Sequence, residues 1–158
     1  MKRILIDADK CQGCKNCSIA CMQAQRGEGS IYDINLADKQ YESRNVILLD
    51  GQKNYKPLFC RHCANPACAK SCMSGALTKS NLSGHVHYNR DKCAQCFMCV
   101  MNCPFGVLKP DRASNTYIVK CDFCSSNDGE PNCVKNCPTK AIRVETVASN
   151  LKESGVPK

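Results

Sequence analysis

Sixteen cysteines, set in four groups of four, constrain this chain more than any other feature. Group one is Cys11, Cys14, Cys17 and Cys21, spaced CxxCxxCxxxC. Group two is Cys60, Cys63, Cys68 and Cys72, with four residues in its middle gap. Group three, Cys93, Cys96, Cys99 and Cys103, repeats the first spacing and is followed by Pro104. Group four is Cys121, Cys124, Cys133 and Cys137, with eight residues in its middle gap and Pro138 behind it. Groups one and three repeat at a constant offset of 82 residues, each after an Asp-Lys pair, and Asn65 to Cys72 matches Glu130 to Cys137 at an offset of 65. The order is A-B-A-B, as expected of a duplicated two-group unit.

This spacing has a mechanical meaning. Three thiolates in a CxxCxxC loop wrap one face of an iron–sulfur cube, and the fourth, three residues further on, starts a helix leading away and ligates a different cube. Prolines after Cys103 and Cys137 end those helices and turn the chain outward. Gly75-Ala76-Leu77, Gly106-Val107-Leu108 and Lys140-Ala141-Ile142 then return it to apolar strand. Structural zinc competes for CxxC pairs, but it takes four ligands from two such pairs and has no use for four three-plus-one groups. A disulfide framework needs an oxidising compartment. The start, Met1 to Asp7, breaks its apolar run at an acidic residue and meets a cysteine at position 11, unlike a secretory or twin-arginine signal. A cytoplasmic location is therefore expected. No run of 18 apolar residues occurs, so no membrane span is expected.

Composition supports a fold held by metal. A chain of 158 residues without Trp, with 6% aromatics and a mean hydropathy of −0.37, has little apolar material for a core. The formal charge of +8, from 22 basic and 14 acidic residues, would suit nucleic acid if it stood alone. Four oxidised 4Fe–4S cores add about +8 and sixteen thiolates about −16, which brings the loaded protein near zero. The basic excess offsets cluster charge, and no nucleic-acid partner is expected. No Ser–His–Asp set, paired catalytic carboxylates, GxGxxG loop or Walker loop is present, so the chain is expected to be no enzyme.

Strands are predicted at 3–6, 46–49, 86–88, 116–119 and 142–147, and short helices at 18–21, 66–72, 100–103 and 131–137. Pro66 and Pro131 suit a first helical position, where the missing amide is harmless. The 38 residues between Cys21 and Cys60 form one long polar insertion, either a cover for an edge strand or a seat for a partner. His62 is expected to pack or meet solvent, His85 and His87 to lie on the surface, Met73, Met98 and Met101 to pack around sulfur, and Phe59, Phe97 and Phe123 to fill core.

The four-group pattern resembles the four-cluster ferredoxin-like electron-transfer subunits found beside molybdenum and tungsten oxidoreductases and hydrogenases. Within that family it looks most like the CooF-type iron–sulfur protein of carbon-monoxide dehydrogenase, on Glu42-Ser-Arg-Asn45, Pro57-Leu-Phe-Cys-Arg-His-Cys63, Cys72-Met-Ser-Gly-Ala76 and Cys96-Phe-Met-Cys-Val-Met-Asn-Cys-Pro104. The resemblance implies an α+β fold of two bacterial-ferredoxin-like units, a duplicated βαβ with cysteine loops, around four 4Fe–4S clusters. One unit comprises 1–24 plus 110–147 with groups one and four. The other comprises 57–109 with groups two and three, leaving 25–56 as an insertion and 148–158 as a tail. It also implies nested ligand sets. Cys11, Cys14, Cys17 and Cys137 hold one cube; Cys121, Cys124, Cys133 and Cys21 its neighbour. Cys60, Cys63, Cys68 and Cys103 hold the third; Cys93, Cys96, Cys99 and Cys72 the fourth. Duplication arithmetic alone would pair group one with two and three with four, so the sequence itself leaves nested and tandem pairing open. The implied role is an electron relay in an anaerobic, cytoplasmic setting. Carbon-monoxide dehydrogenase is the preferred donor, and a hydrogenase, flavin oxidoreductase or ferredoxin the acceptor. The alternatives are a formate dehydrogenase, tungsten aldehyde oxidoreductase or hydrogenase complex, and more distantly a zinc-stabilised interaction module.

Overall fold

The computed structural model describes residues 1–27, 30–51, 54–125, 127 and 129–147. The expected tail at 148–158 lies outside them. In chain order the elements are β1 (Lys2–Ile6), α1 (Asn16–Arg26), β2 (Val46–Leu49), β3 (Tyr55–Leu58), α2 (Ala67–Lys70), β4 (Leu77–Lys79), β5 (Val86–Tyr88), α3 (Met98–Met101), β6 (Lys109–Pro110), β7 (Ile118–Val119), α4 (Asn132–Lys135) and β8 (Ile142–Thr146). Short 3-10 turns stand at Ala8–Lys10 and Ile31–Asp33. Helices and strands are mixed in a small ferredoxin-like scaffold.

Among the described residues the strands form four two-stranded antiparallel sheets, β1 with β8, β2 with β3, β4 with β5 and β6 with β7. The first joins the two ends of the described chain, placing Lys2 opposite Thr146 and Ile6 opposite Ile142. Helix α1 packs on α4, and α2 on α3. Two apolar clusters follow this arrangement. Leu77, Val86, Val107, Leu108 and Ile118 gather with Cys60, Cys68 and Cys99, while Ile4, Phe59, Phe123 and Ile142 gather with Cys133. Among the described residues six of the eighteen buried apolar ones are cysteines, so the core is assembled around thiols, as the thin composition required.

Several expected elements differ in extent, each for a local reason. Helix α1 is eleven residues long, where a short helix ending at Cys21 was expected. Group one lacks the proline that follows groups three and four, and Met22-Gln-Ala-Gln-Arg26 is good helix-forming sequence, so the helix continues until Gly27 at φ +88°. Pro66 and Pro131 occupy the residue before the helix and not its first turn, where their carbonyls accept the amides of Ala69 and Lys70 and of Val134 and Lys135. The insertion is no bare loop. It carries a 3-10 turn and a hairpin in which Pro57 pairs with Ile47; proline is tolerated because a two-stranded sheet has only edge strands. The expected borders at 24/25, 56/57 and 109/110 each fall inside an element, and Phe59 and Ile118 pack in the cluster of the opposite unit.

Candidate metal centres

The cysteine loops take an unusual backbone form. Gly13 and Lys15 in group one have φ of +67° and +60°, and their counterparts Gln95 and Phe97 in group three have +58° and +55°. In the other two groups the residue two past the first cysteine is also left-handed: His62 at +44° and Phe123 at +60°. Non-glycine residues seldom adopt this region. Placed among right-handed residues it turns successive amide N–H groups to one side, forming a concavity that suits an anionic cluster.

These loops bring the thiols together in nested fashion. One cavity is lined by Cys11, Cys14, Cys17 and Cys137, a second by Cys60, Cys63, Cys68 and Cys103, and a third by Cys72, Cys93, Cys96 and Cys99. The three are nearly equal in size, each with a volume of about 20 Å³. Apolar side chains complete the walls: Ile47, Phe59 and Ile142 in the first, Val86, Val107 and Leu108 in the second, Leu77, Phe97 and Ile118 in the third. The remaining cysteines, Cys21, Cys121, Cys124 and Cys133, lie within electrostatic reach of one another. All sixteen are free of disulfides. The thiols stand around the cavity walls; among the described residues no three His, Cys, Asp or Glu side chains are gathered for a single metal ion.

Environment separates the thiols. Cys14 and Cys96 are exposed, whereas Cys21, Cys60, Cys68, Cys99, Cys124 and Cys133 are buried. Burial pushes the Cys17 and Cys99 thiols up to about 11, and raises those of Cys21, Cys68, Cys121, Cys124 and Cys133 as well. Cys72 and Cys137 go the other way. Burial also works against their charged forms, but it is outweighed by hydrogen bonds from Ser74 and the amides of Leu77 and Ala76, and from Thr139 and the amides of Ile142 and Ala141. The hydroxyls of Ser74 and Thr139 lie 3.6 and 3.7 Å from the two sulfurs.

The segment Glu42 to Asn45 ties the insertion to this site. The Arg44 amide donates to Cys21 Sγ at 3.3 Å, and its guanidinium pairs with Asp122 at 2.8 Å. Buried Asn45 accepts from Ser18 Oγ at 2.7 Å and donates to the Cys17 carbonyl at 3.2 Å. Glu42 pairs with Lys109 at 2.7 Å and accepts the Arg112 amide at 3.0 Å. In the sequence Asn45 stood out only as part of the Glu42–Asn45 motif, and nothing marked Ser18 or Lys120 as site residues, because Ser18 meets Asn45 across 27 positions and Lys120 meets Cys60 across 60.

His62 packs as expected but does not meet solvent. Its Nδ1 accepts the Val86 amide at 3.0 Å, and its ring lies beside His85 and edge-on to Phe123. Burial first, and Lys120 second, hold its pKa down at about 2, so the ring is neutral. His85 is half-buried on Phe123 and not a surface residue, since the apolar ring of Phe123 offers it cover. The methionines correct another expectation. Met73 and Met101 are 93% and 78% exposed and Met98 is also exposed, because neighbouring walls are already filled by Leu77, Phe97 and Ile118. Phe59 and Phe123 are buried, as core filling requires.

Thiol-lined, apolar-walled cavities on a small helix-and-strand scaffold define an iron–sulfur electron-transfer protein. Residues 51–147 match the 4Fe-4S dicluster domain family, and the chain belongs to that family. With sixteen cysteines it carries four 4Fe–4S clusters. It is 34% identical over 157 residues to the NADH-dependent phenylglyoxylate dehydrogenase subunit beta of Aromatoleum evansii, covering 96% of this chain but only 32% of that protein's length. It is 35% identical over 158 residues to the probable anaerobic dimethyl sulfoxide reductase chain YnfG of Escherichia coli (strain K12), covering 95% and 76%. Among solved structures, the BamBC active-site complex of benzoyl coenzyme A reductase matches with a TM-score of 0.51 and 26% identity, covering all of this chain and 83% of that one. Among the described residues no helix is long and apolar enough to cross a membrane.

Proposed function

We propose that the chain is an electron relay without substrate chemistry of its own, built from two ferredoxin-like units whose cysteines ligate the clusters in nested sets. Cys11, Cys14, Cys17 and Cys137 hold one outer cluster, and Cys72, Cys93, Cys96 and Cys99 the other. Cys21, Cys121, Cys124 and Cys133, and Cys60, Cys63, Cys68 and Cys103, hold the two inner ones. The observation that carries this reading is that each of three cavities is lined by three cysteines of one group and the last cysteine of another. The packing of α1 on α4 and of α2 on α3 favours the division into 1–24 plus 110–147 and 57–109. Bound clusters supply one-electron exchange. The chain's residues supply thiolate ligands, hold water away from the inner pair with Val86, Val107, Leu108 and Phe123, and leave Cys14 and Cys96 at the surface, where partners dock.

The preferred donor is carbon-monoxide dehydrogenase, which oxidises CO with water to carbon dioxide and releases two protons and two electrons. The acceptor is a hydrogenase, flavin oxidoreductase or ferredoxin. This choice rests on the Glu42–Asn45 and Cys-rich motifs. A second reading keeps the relay and changes the partner to another oxidoreductase, such as a formate dehydrogenase or an enzyme of the dimethyl sulfoxide reductase kind; the YnfG likeness favours it. Anaerobic mixing decides between them. Rapid cluster reduction by CO with its dehydrogenase supports the first, and reduction only by formate or another enzyme's substrate supports the second. Iron and sulfide analysis tests the relay itself: zinc without sulfide would leave an interaction module in its place.

A further inference from the structure

We propose that Lys120 is a fixed cation shared by the two inner thiol sets, a positioning residue that raises the reduction potentials of the clusters they hold. The proposal rests on the nested ligand sets above. Lys120 is only 5% exposed. Its Nζ lies 3.8 Å from Cys60 Sγ, 2.7 Å from the Val86 carbonyl and 2.8 Å from the Cys121 carbonyl. Three acceptors use three N–H donors, which an ammonium has and a neutral amine lacks. Among the described residues no carboxylate is paired with it.

A buried cation without an anionic partner is costly. Here the anions available are the thiolates and the clusters they bind. Cys60 belongs to one inner set and Cys121 to the other, and these two sulfurs are themselves electrostatic neighbours. Lys120 therefore stands at the junction of both sets. Its charge also bears on Cys68 and on the His62 ring. A cation held beside a centre that gains an electron stabilises the reduced form, and charge, sulfur hydrogen bonds and burial are the levers that set cluster potentials. The outer sets have a different device: the neutral hydroxyls of Ser74 and Thr139 beside Cys72 and Cys137. One lysine thus distinguishes the middle of the relay from its ends.

The test is an anaerobic potentiometric titration, followed by electron paramagnetic resonance, of holoprotein as wild type, Lys120→Met and Lys120→Arg, with iron and sulfide measured on each. Cys14→Ser and Cys96→Ser mark the two outer signals. The expected result is that Lys120→Met keeps its iron while the two unmarked potentials fall, each by at least a tenfold change in reduction equilibrium, 59 mV for one electron. Lys120→Arg should leave all four in place. Unmoved inner potentials, or a shift confined to the marked outer signals, would overturn the proposal. If Cys14→Ser and Cys96→Ser disturb the same signal, the ligand sets are wrong and the proposal falls with them. If Lys120→Met does not hold iron, Lys120→Gln is titrated under the same criterion. Loading by Lys120→Arg alone would support the need for charge. Failure of Lys120→Arg together with both neutral variants would overturn it, because shape and not charge would then be what the inner sites require.

Discussion

In the proposed relay the outer and inner thiol sets use the same donor atoms in opposite surroundings. Each outer set centres on a CxxCxxC loop whose middle cysteine, Cys14 or Cys96, is exposed, and each takes its fourth cysteine from a segment with a hydroxyl beside it. The inner sets draw on the more widely spaced groups two and four, and most of their cysteines are buried. Between them lie His62, Phe123 and Lys120, all nearly inaccessible. Donor type and spacing together thus determine which cofactor is held. Access and local charge, which come from neighbours, determine what each copy of that cofactor can do.

The broadest way to break this comparison is to remove the metal, since both regions depend on it. The apoprotein should be largely disordered by circular dichroism, because six of its buried apolar residues are ligand-type cysteines and the rest make a thin core. A cooperative, near-native melt without iron would show that packing suffices. Next in size is Cys21→Ser. It should damage the inner cluster of Cys121, Cys124 and Cys133 while sparing the outer one of Cys11, Cys14 and Cys17, as read by spectroscopic titration against matching single variants. Loss of the Cys11 signal would mean that the fourth cysteine closes its own loop, and loss of the Cys60 signal would mean tandem pairing.

Single-site packing effects are smaller. A Cβ on Gly13 would stand 2.3 Å from the Tyr55 ring, and the residue is at φ +67°, so Gly13→Ala should cost about 1–3 kcal/mol in a denaturant melt of holoprotein. Adding Tyr55→Ala should recover part of that loss. Gln95, at the same place in the other outer loop, already carries a side chain at φ +58°, which makes ring crowding and not loop geometry the larger obstacle at Gly13. Asn45→Ala should cost about 1–3 kcal/mol by leaving the Cys17 carbonyl and Ser18 hydroxyl without their partner.

The smallest effect concerns acid. Burial acts to raise the Asp111 pKa, but hydrogen bonds from Ser114, Tyr117 and Thr116 outweigh it and lower the carboxyl to about 2 from 3.8. A depressed folded-state pKa adds stability above the unfolded value, which is lost as pH falls from about 4 to about 2. Asp111→Asn should flatten that part of the stability profile. An unchanged profile would mean that the turn joining β6 and β7 does not depend on the charge.

Cofactor type, cluster number and the four loops were legible in the sequence because a ligand set is a matter of residue type and short spacing. The strand at Val46–Leu49 and the site of each short helix were legible for the same local reason. Helix α1 was underestimated although its cause is also local: no proline follows Cys21. Strand β3 was missed because Pro57 argues against a strand until one sees that both strands of its hairpin are edges. What only the tertiary structure decided is which thiols face one another, and what lies between them. Cys11 meets Cys137, and Lys120 reaches Cys60, across spans of chain over which spacing carries no information. The repeat arithmetic alone points to tandem pairing. The β1–β8 sheet and the packing of α1 on α4 instead bring the first and last groups together, which supports the nested sets, because contacts between distant elements and not local spacing set which groups meet.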